Sequence, residues 1–210
     1  VEGIDFYEQL AADNSRVFWQ ANKQRYHEFV KQPMMELTEH LDEFGPFHLF
    51  RPYNDVRFSK NKPPYKTAQG AYGESEGGTG YYVQFAADGL MVGAGYYAMA
   101  KDQLERFRSA IDAEATGADV ADLVEQTKRA GYEITAIDAL KTAPRGYPKD
   151  HPRIELLRLK GLIAMREFGL PRWVHTAGAA ERIRSAWEGA ADLCQWLDAH
   201  VGPSTLPPDD

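Results

Sequence analysis

The run RPYNDVRFSKNKPPYK, residues 51–66, sets Arg51, Arg57, Lys60, Lys62 and Lys66 against one carboxylate, Asp55. A guanidinium offers a planar fork to phosphate or carboxylate, and an ammonium offers a mobile point charge. Asp55 can orient one of these cations, and Tyr53 and Tyr65 add rings and hydroxyls. Such a set recognises a phosphorylated or polycarboxylate ligand. It also suits stacking and phosphate contact with a single-stranded nucleic acid. Arg51 and Arg57 would lie about 20 Å apart along a strand, so Arg57, Lys60, Lys62 and Lys66 form the tighter group.

A second basic stretch, residues 141–160, holds Lys141, Arg145, Lys149, Arg153, Arg158 and Lys160 against Asp150 and Glu155. Each stretch carries +4 in a chain of net charge −7, so everything outside them carries −15. Two basic islands in an acidic chain concentrate positive potential where they meet. The expectation is a basic, tyrosine-lined cleft, with His151 and Lys160 joining the first island at its rim and Arg145 among its ligand-binding residues. His151 is the one acid–base candidate, because imidazole titrates near neutrality. A hydrogen bond at a helix start is its competing and favoured role, so no catalytic residue is assigned.

Other patterns fail on their surroundings. Ser59-Lys60-Asn61-Lys62 spells S-x-x-K, but Pro63-Pro64 opposes the helical turn that a serine–lysine pair needs. The G-x-G-x-x-A spelling at Gly93–Ala98 lies inside a hairpin strand and does not follow a buried parallel one. The six histidines show no i,i+4 or H-x-H pairing, so no metal site is expected, and no cofactor motif is present. The single cysteine, Cys194, lies on a packing stripe.

Hydrophobic periodicity supplies the elements that would position these groups. A short helix is expected over residues 3–12, then a long one from a cap at Asn14 or Ser15, kinked at Pro33. Phe47 to Ser59 alternates as a strand, with an edge or bulge at Pro52. Tyr65 to Tyr72 returns, and the glycine-rich loop at residues 74–80 is read as mobile. Asp88-Gly89 predicts a tight hairpin over residues 81–98. Tyr81, Val83, Phe85, Leu90, Val92, Ala94 and Tyr96 then face the core. Tyr82, Gln84 and Tyr97 face outward with Gly93 and Gly95, as the floor of the cleft. Helices follow at 101–113 and 117–130, then a strand at 132–142. A helix starting at Asp150-His151-Pro152, a strand at 159–168 and one long helix at 178–201 close the chain. This order reads as an α+β fold, one domain over residues 1–201, with a mainly antiparallel sheet flanked by helices. Residues 202–210 form a flexible tail.

At 210 residues and 23.6 kDa the chain can bury a core without cross-links. No transmembrane or leader segment is read, so a soluble, cytoplasmic protein is expected, with no membrane partner.

Several segments together resemble the domain of unknown function 2461 family, conserved hypothetical proteins found mostly in bacteria and some fungi. Its D-V-R-F-S-K-x-K-x-P-Y-K-T signature is matched from Asp55 to Thr67. Phe18–Tyr26 resembles its W-F-x-x-N-K-x-x-Y start. Gly80-Tyr81-Tyr82 and Gly93–Tyr97 resemble its hairpin. Pro144–Tyr147, Asp150-His151-Pro152 and Leu157–Lys160 resemble its P-x-G-F…D-H-P…L-x-x-K segment. Asn54 stands where the family often has arginine, Asn61 where it often has aspartate, and Phe18-Trp19 inverts the aromatic order. The resemblance implies one fold over residues 3 to 200 and transfers no catalytic residue.

Three functions fit these residues. The first is binding of an anionic small molecule, with catalysis left open. The second is nucleic-acid binding through the same surface, which the overall acidity opposes without excluding. The third is an interaction or scaffold domain whose islands pair with the acidic remainder.

Overall fold

The computed structural model describes residues 2–55 and 62–207. Arg57 and Lys60 therefore lie outside the described residues, as does the end of the strand expected at residues 47–59.

Helix α1 (Glu2–Ala12) buries Phe6, Tyr7 and Leu10. Ser15 caps α2 (Arg16–Tyr26) by accepting the Phe18 N–H at 3.1 Å. The helix then widens into a π turn, His27–Lys31, before α3 (Gln32–Glu39) begins with Pro33 in its first turn. Proline lacks an N–H and crowds the carbonyl four residues back, here that of Phe29. The π turn absorbs that conflict, so the expected kink takes the form of one expanded turn.

Six strands form an antiparallel sheet in the order β1-β2-β3-β4-β6-β5. They are β1 (Phe47–Leu49), β2 (Ala68–Glu74), β3 (Gly80–Ala86), β4 (Gly89–Tyr96), β5 (Glu133–Thr135) and β6 (Leu162–Gly169). With the helices this is an α+β fold. The hairpin turn falls at Ala87-Asp88, one residue earlier than the composition suggests. Cross-strand partners move by two, which keeps the same residues on each face. Val83, Leu90, Val92, Ala94 and Tyr96 are buried and Tyr82, Gln84 and Met91 half-buried, as expected, but Tyr81 and Phe85 are only half-buried, and Ala86, Gly93 and Gly95, expected outward, are buried.

Two other expectations are corrected. The strand from Phe47 stops at Leu49, because Pro52 cannot donate to the ladder. The C-terminal helix is two, α7 (Ala179–Glu188) and α8 (Ala191–His200). The Tyr132 hydroxyl donates to the Ala186 carbonyl at 2.6 Å, and the Ala190 N–H turns to Trp187 instead.

The chain divides into two compact units, residues 1–73, 82–92 and 167–184, and residues 74–81, 93–166 and 185–210. The first is built on an aromatic cluster of Phe6, Tyr7, Trp19, Tyr26 and Tyr65. The second contains α4 (Lys101–Asp112), α5 (Glu114–Arg129), the short α6 (Ile154–Leu157) and α8, with Phe107, Ile111, Val120, Leu157 and Leu197 buried. In that unit Gly202–Thr205, read as tail, is bonded to α4. Gln103 donates to the Gly202 carbonyl, and Asp102 accepts from Ser204 and Thr205.

Candidate functional site

Past β1 the first unit's hairpin continues irregularly. The Phe50 N–H donates to the Gly70 carbonyl at 2.9 Å, continuing the register in which Leu49 faces Ala71. Beyond it the Lys66 N–H donates to the Pro52 carbonyl, and Tyr53 bridges Tyr65. Residues 67–69 therefore oppose Arg51 alone, which makes a wide bulge. Gln69, 1% exposed, fills it. Its amide nitrogen donates to the Phe50 and Gly70 carbonyls at 2.9 and 2.8 Å, and its oxygen accepts the Tyr26 hydroxyl at 2.6 Å. Burial pushes that hydroxyl's pKa up to about 12.

The bulge presents two aromatic surfaces beside the first basic island. On one, Tyr65 stacks on Trp19 with centroids 4.4 Å apart, and Tyr53, 44% exposed, meets Trp19 edge-on at 5.7 Å. The buried Trp19 indole N–H has no acceptor among the described residues. On the other, Lys66 Nζ lies 5.2 Å from the centroid of Phe50, which is 41% exposed. Phe50 in turn lies 6.0 Å from Tyr82, whose hydroxyl donates to Gln84 Oε1 at 2.7 Å. The Tyr82 ring covers Gly70, where an added Cβ would come within 2.9 Å of it.

Burial lowers the Lys66 pKa, and the positive charges of Arg51 and Lys62 lower it further. Arg51 and Lys62 are exposed, and no carboxylate pairs with any of the three cations among the described residues. Asp55 is half-buried and has an interaction of its own.

The second island lies in the second unit, and its less exposed cations are occupied there. Lys160 pairs with Asp138. Arg158 pairs with Glu155 at 3.1 Å and donates to the Leu140 carbonyl. Arg153 reaches Glu114 and the Ile111 carbonyl. Arg145 is exposed. His151 is 9% exposed. Its Nδ1 accepts the Arg153 N–H at 3.0 Å and its Nε2 sits 3.2 Å from Asp112, so both ring nitrogens are engaged. Helix α6 starts at Ile154, later than the Asp150 cap expected from sequence, and the His151 carbonyl accepts the Ile154 N–H.

Tyr97 is 59% exposed in the second unit. The glycines proposed as floor are packed by protein. An added Cβ at Gly93 would lie 2.5 Å from Met165 Sδ, and one at Gly95 would meet the Leu162 carbonyl. Neighbouring strand β6 takes that space.

The signature resemblance and this geometry fall on the same chain segments, and comparison with known families agrees. The chain belongs to the DUF2461 family. The family model, described as a conserved hypothetical protein, matches residues 2–196. No curated protein and no solved structure matches the chain. In this DUF2461 protein the sequence-chosen residues of the first unit are thus Arg51, Tyr53, Asp55, Lys62, Tyr65, Lys66, Tyr82 and Gln84. Phe50 escaped notice because alternation placed it on the face opposite Arg51 and Tyr53. The aromatic beside the bulge-marking Pro52 was the available signal.

A groove of about 630 Å³ lies elsewhere in the first unit, against Phe29, Met34, Leu37, Phe85, Leu90 and Val174. It includes none of the residues chosen from sequence. Apolar side chains dominate its lining, with Glu2, Glu36, His40 and His175 among them, and no lysine or arginine lines it among the described residues. No helix among the described residues is long and apolar enough to cross a membrane.

Proposed function

We propose that this protein binds a phosphorylated or otherwise anionic small ligand at Arg51, Lys62 and Lys66, beside Tyr53, Phe50 and Tyr82. The observation that carries the reading is a group of three cations with no carboxylate partner among the described residues. Like charges repel at close range, and repulsion without a carboxylate partner is a cost that an anion removes. The second island contrasts with this, since Arg153, Arg158 and Lys160 are matched by Glu114, Glu155 and Asp138. That pairing supports a structural role for those three cations, and the proposal therefore draws its cations from the first unit.

Isothermal titration of the protein with pyrophosphate, sugar phosphates, a tricarboxylate and a short single-stranded oligonucleotide, each at two salt concentrations, tests the reading. Saturable binding of a small anion, weakened in Lys66→Met, is the expected result. Binding of the oligonucleotide alone, with a steep loss of affinity as salt rises, would replace the small ligand with a nucleic acid. No binding of any anion would refute both.

A further inference from the structure

Of the first unit's cations, Lys66 touches a run of side chains that an inorganic anion would not use. Lys66 Nζ lies over Phe50, Phe50 lies against Tyr82, and Tyr82 bonds Gln84. Two properties of this run point to a ring. Phe50 keeps 41% of its surface exposed between the Lys66 ammonium and the Tyr82 ring, which leaves an aromatic face open beside a cation. Gln84 uses its oxygen to accept from Tyr82, while its amide nitrogen has no acceptor among the described residues. A half-buried –NH₂ presents two N–H donors to whatever lies on the sheet face. Adjacent strands are about 4.8 Å apart. The chain after β1 and strand β3, with β2 between them, are therefore about 10 Å apart. That distance separates the anion-binding end from the amide end.

We propose that the ligand is a nucleoside phosphate. The phosphate sits on Arg51 and Lys66, the base lies across Phe50 and Tyr82, and Gln84 Nε2 donates to an acceptor on the base edge. Aromatic platforms beside cations are the usual means of holding a base and its phosphate together. This rests on the anion-site reading above and adds the ring. The same chemistry is offered by a free nucleotide and by one unit of a single strand.

The test compares affinities of the intact protein for inorganic phosphate, ribose phosphate, the four common ribonucleoside monophosphates and a short single-stranded oligonucleotide. Phe50→Leu and Gln84→Leu are measured alongside, with unliganded melting curves to establish that each variant folds. At least one nucleoside monophosphate should bind about tenfold or more tighter than ribose phosphate, the range for stacking a base on an aromatic side chain. Phe50→Leu should erase most of that ratio, with ribose phosphate binding measured on the same variant as its reference, while Gln84→Leu should reduce it for some bases more than others. Ribose phosphate binding as tightly as every nucleotide, or a ratio that survives Phe50→Leu, would overturn the ring while leaving the anion site standing. Failure of every phosphate to bind would overturn the anion site itself. An oligonucleotide that binds more tightly than its monomers, with the same dependence on Phe50, keeps the chemistry and assigns the source to a strand.

Discussion

Lys66 stands with its ammonium over the Phe50 ring, within the field of Arg51 and Lys62. Burial and that field lower its pKa, so the folded chain holds the proton less tightly than the unfolded one. Stability therefore rises with pH between the lowered folded pKa and the ordinary lysine value near 10.5, where the unfolded state binds more protons. Arg51→Met removes part of the repulsion, and the Lys66 pKa should move upward, as NMR titration of isotopically labelled lysine side chains would read. A pKa unchanged in that variant would mean that Arg51 does not act on Lys66. Gln69 is the other residue whose contacts decide something. Gln69→Leu leaves the Tyr26 hydroxyl and the Phe50 carbonyl without their partner. The expected loss is about 1–3 kcal/mol by denaturant unfolding. A loss within error would mean that water replaces the amide. Of these residues the sequence made Arg51, Lys62 and Lys66 legible, because cation density needs no fold to be counted. Gln69 was not legible, because its role exists only where the ladder slips between Phe50·Gly70 and Pro52·Lys66.

Elements followed the pattern where apolar spacing was regular and departed from it where a single contact intervened. Helix α1 and the Ser15 cap were readable from spacing and cap chemistry, whereas the β3–β4 faces were readable only in part, because β6 covers Gly93 and Gly95. The break between α7 and α8 was not, because it depends on a tyrosine some fifty residues away, Tyr132, which takes the Ala186 carbonyl. The π turn before Pro33 likewise hides a tertiary constraint. An added Cβ at Gly3 would lie 2.7 Å from the Phe29 carbonyl oxygen, the group that Pro33 deprives of its helical partner. Alanine in place of a helical glycine normally gains about 1 kcal/mol. Here backbone must move to admit it, and overpacking costs about 1–3 kcal/mol. Gly3→Ala should therefore lower the unfolding free energy, and an increase measured in urea would show that the two helices separate easily.

At the scale of the whole chain, charge is unevenly placed. Acidic residues outnumber basic ones, 31 to 24, yet Arg51, Lys62 and Lys66 have none of the 31 as a partner among the described residues. The cations of the second island that carry structure, Arg153, Arg158 and Lys160, each have one. Sequence alone could not separate these cases, since both islands carry the same net charge. The pairing of Lys160 with Asp138 depends on Ala139 bridging Leu159, a contact between segments that no periodicity marks. Cations held for a ligand should be dispensable for the fold, whereas cations held for structure should not be. The most direct measurement is the melting temperature of wild type, Arg51→Met and Lys66→Met, each with and without saturating pyrophosphate. The unliganded variants should melt at or above wild type. Pyrophosphate should raise the wild-type melting temperature by a few degrees, from about 2.7 kcal/mol at a hundredfold excess over Kd, and both variants should lose that rise. Variants that melt well below wild type, with no rise in wild type on adding pyrophosphate, would contradict the anion site.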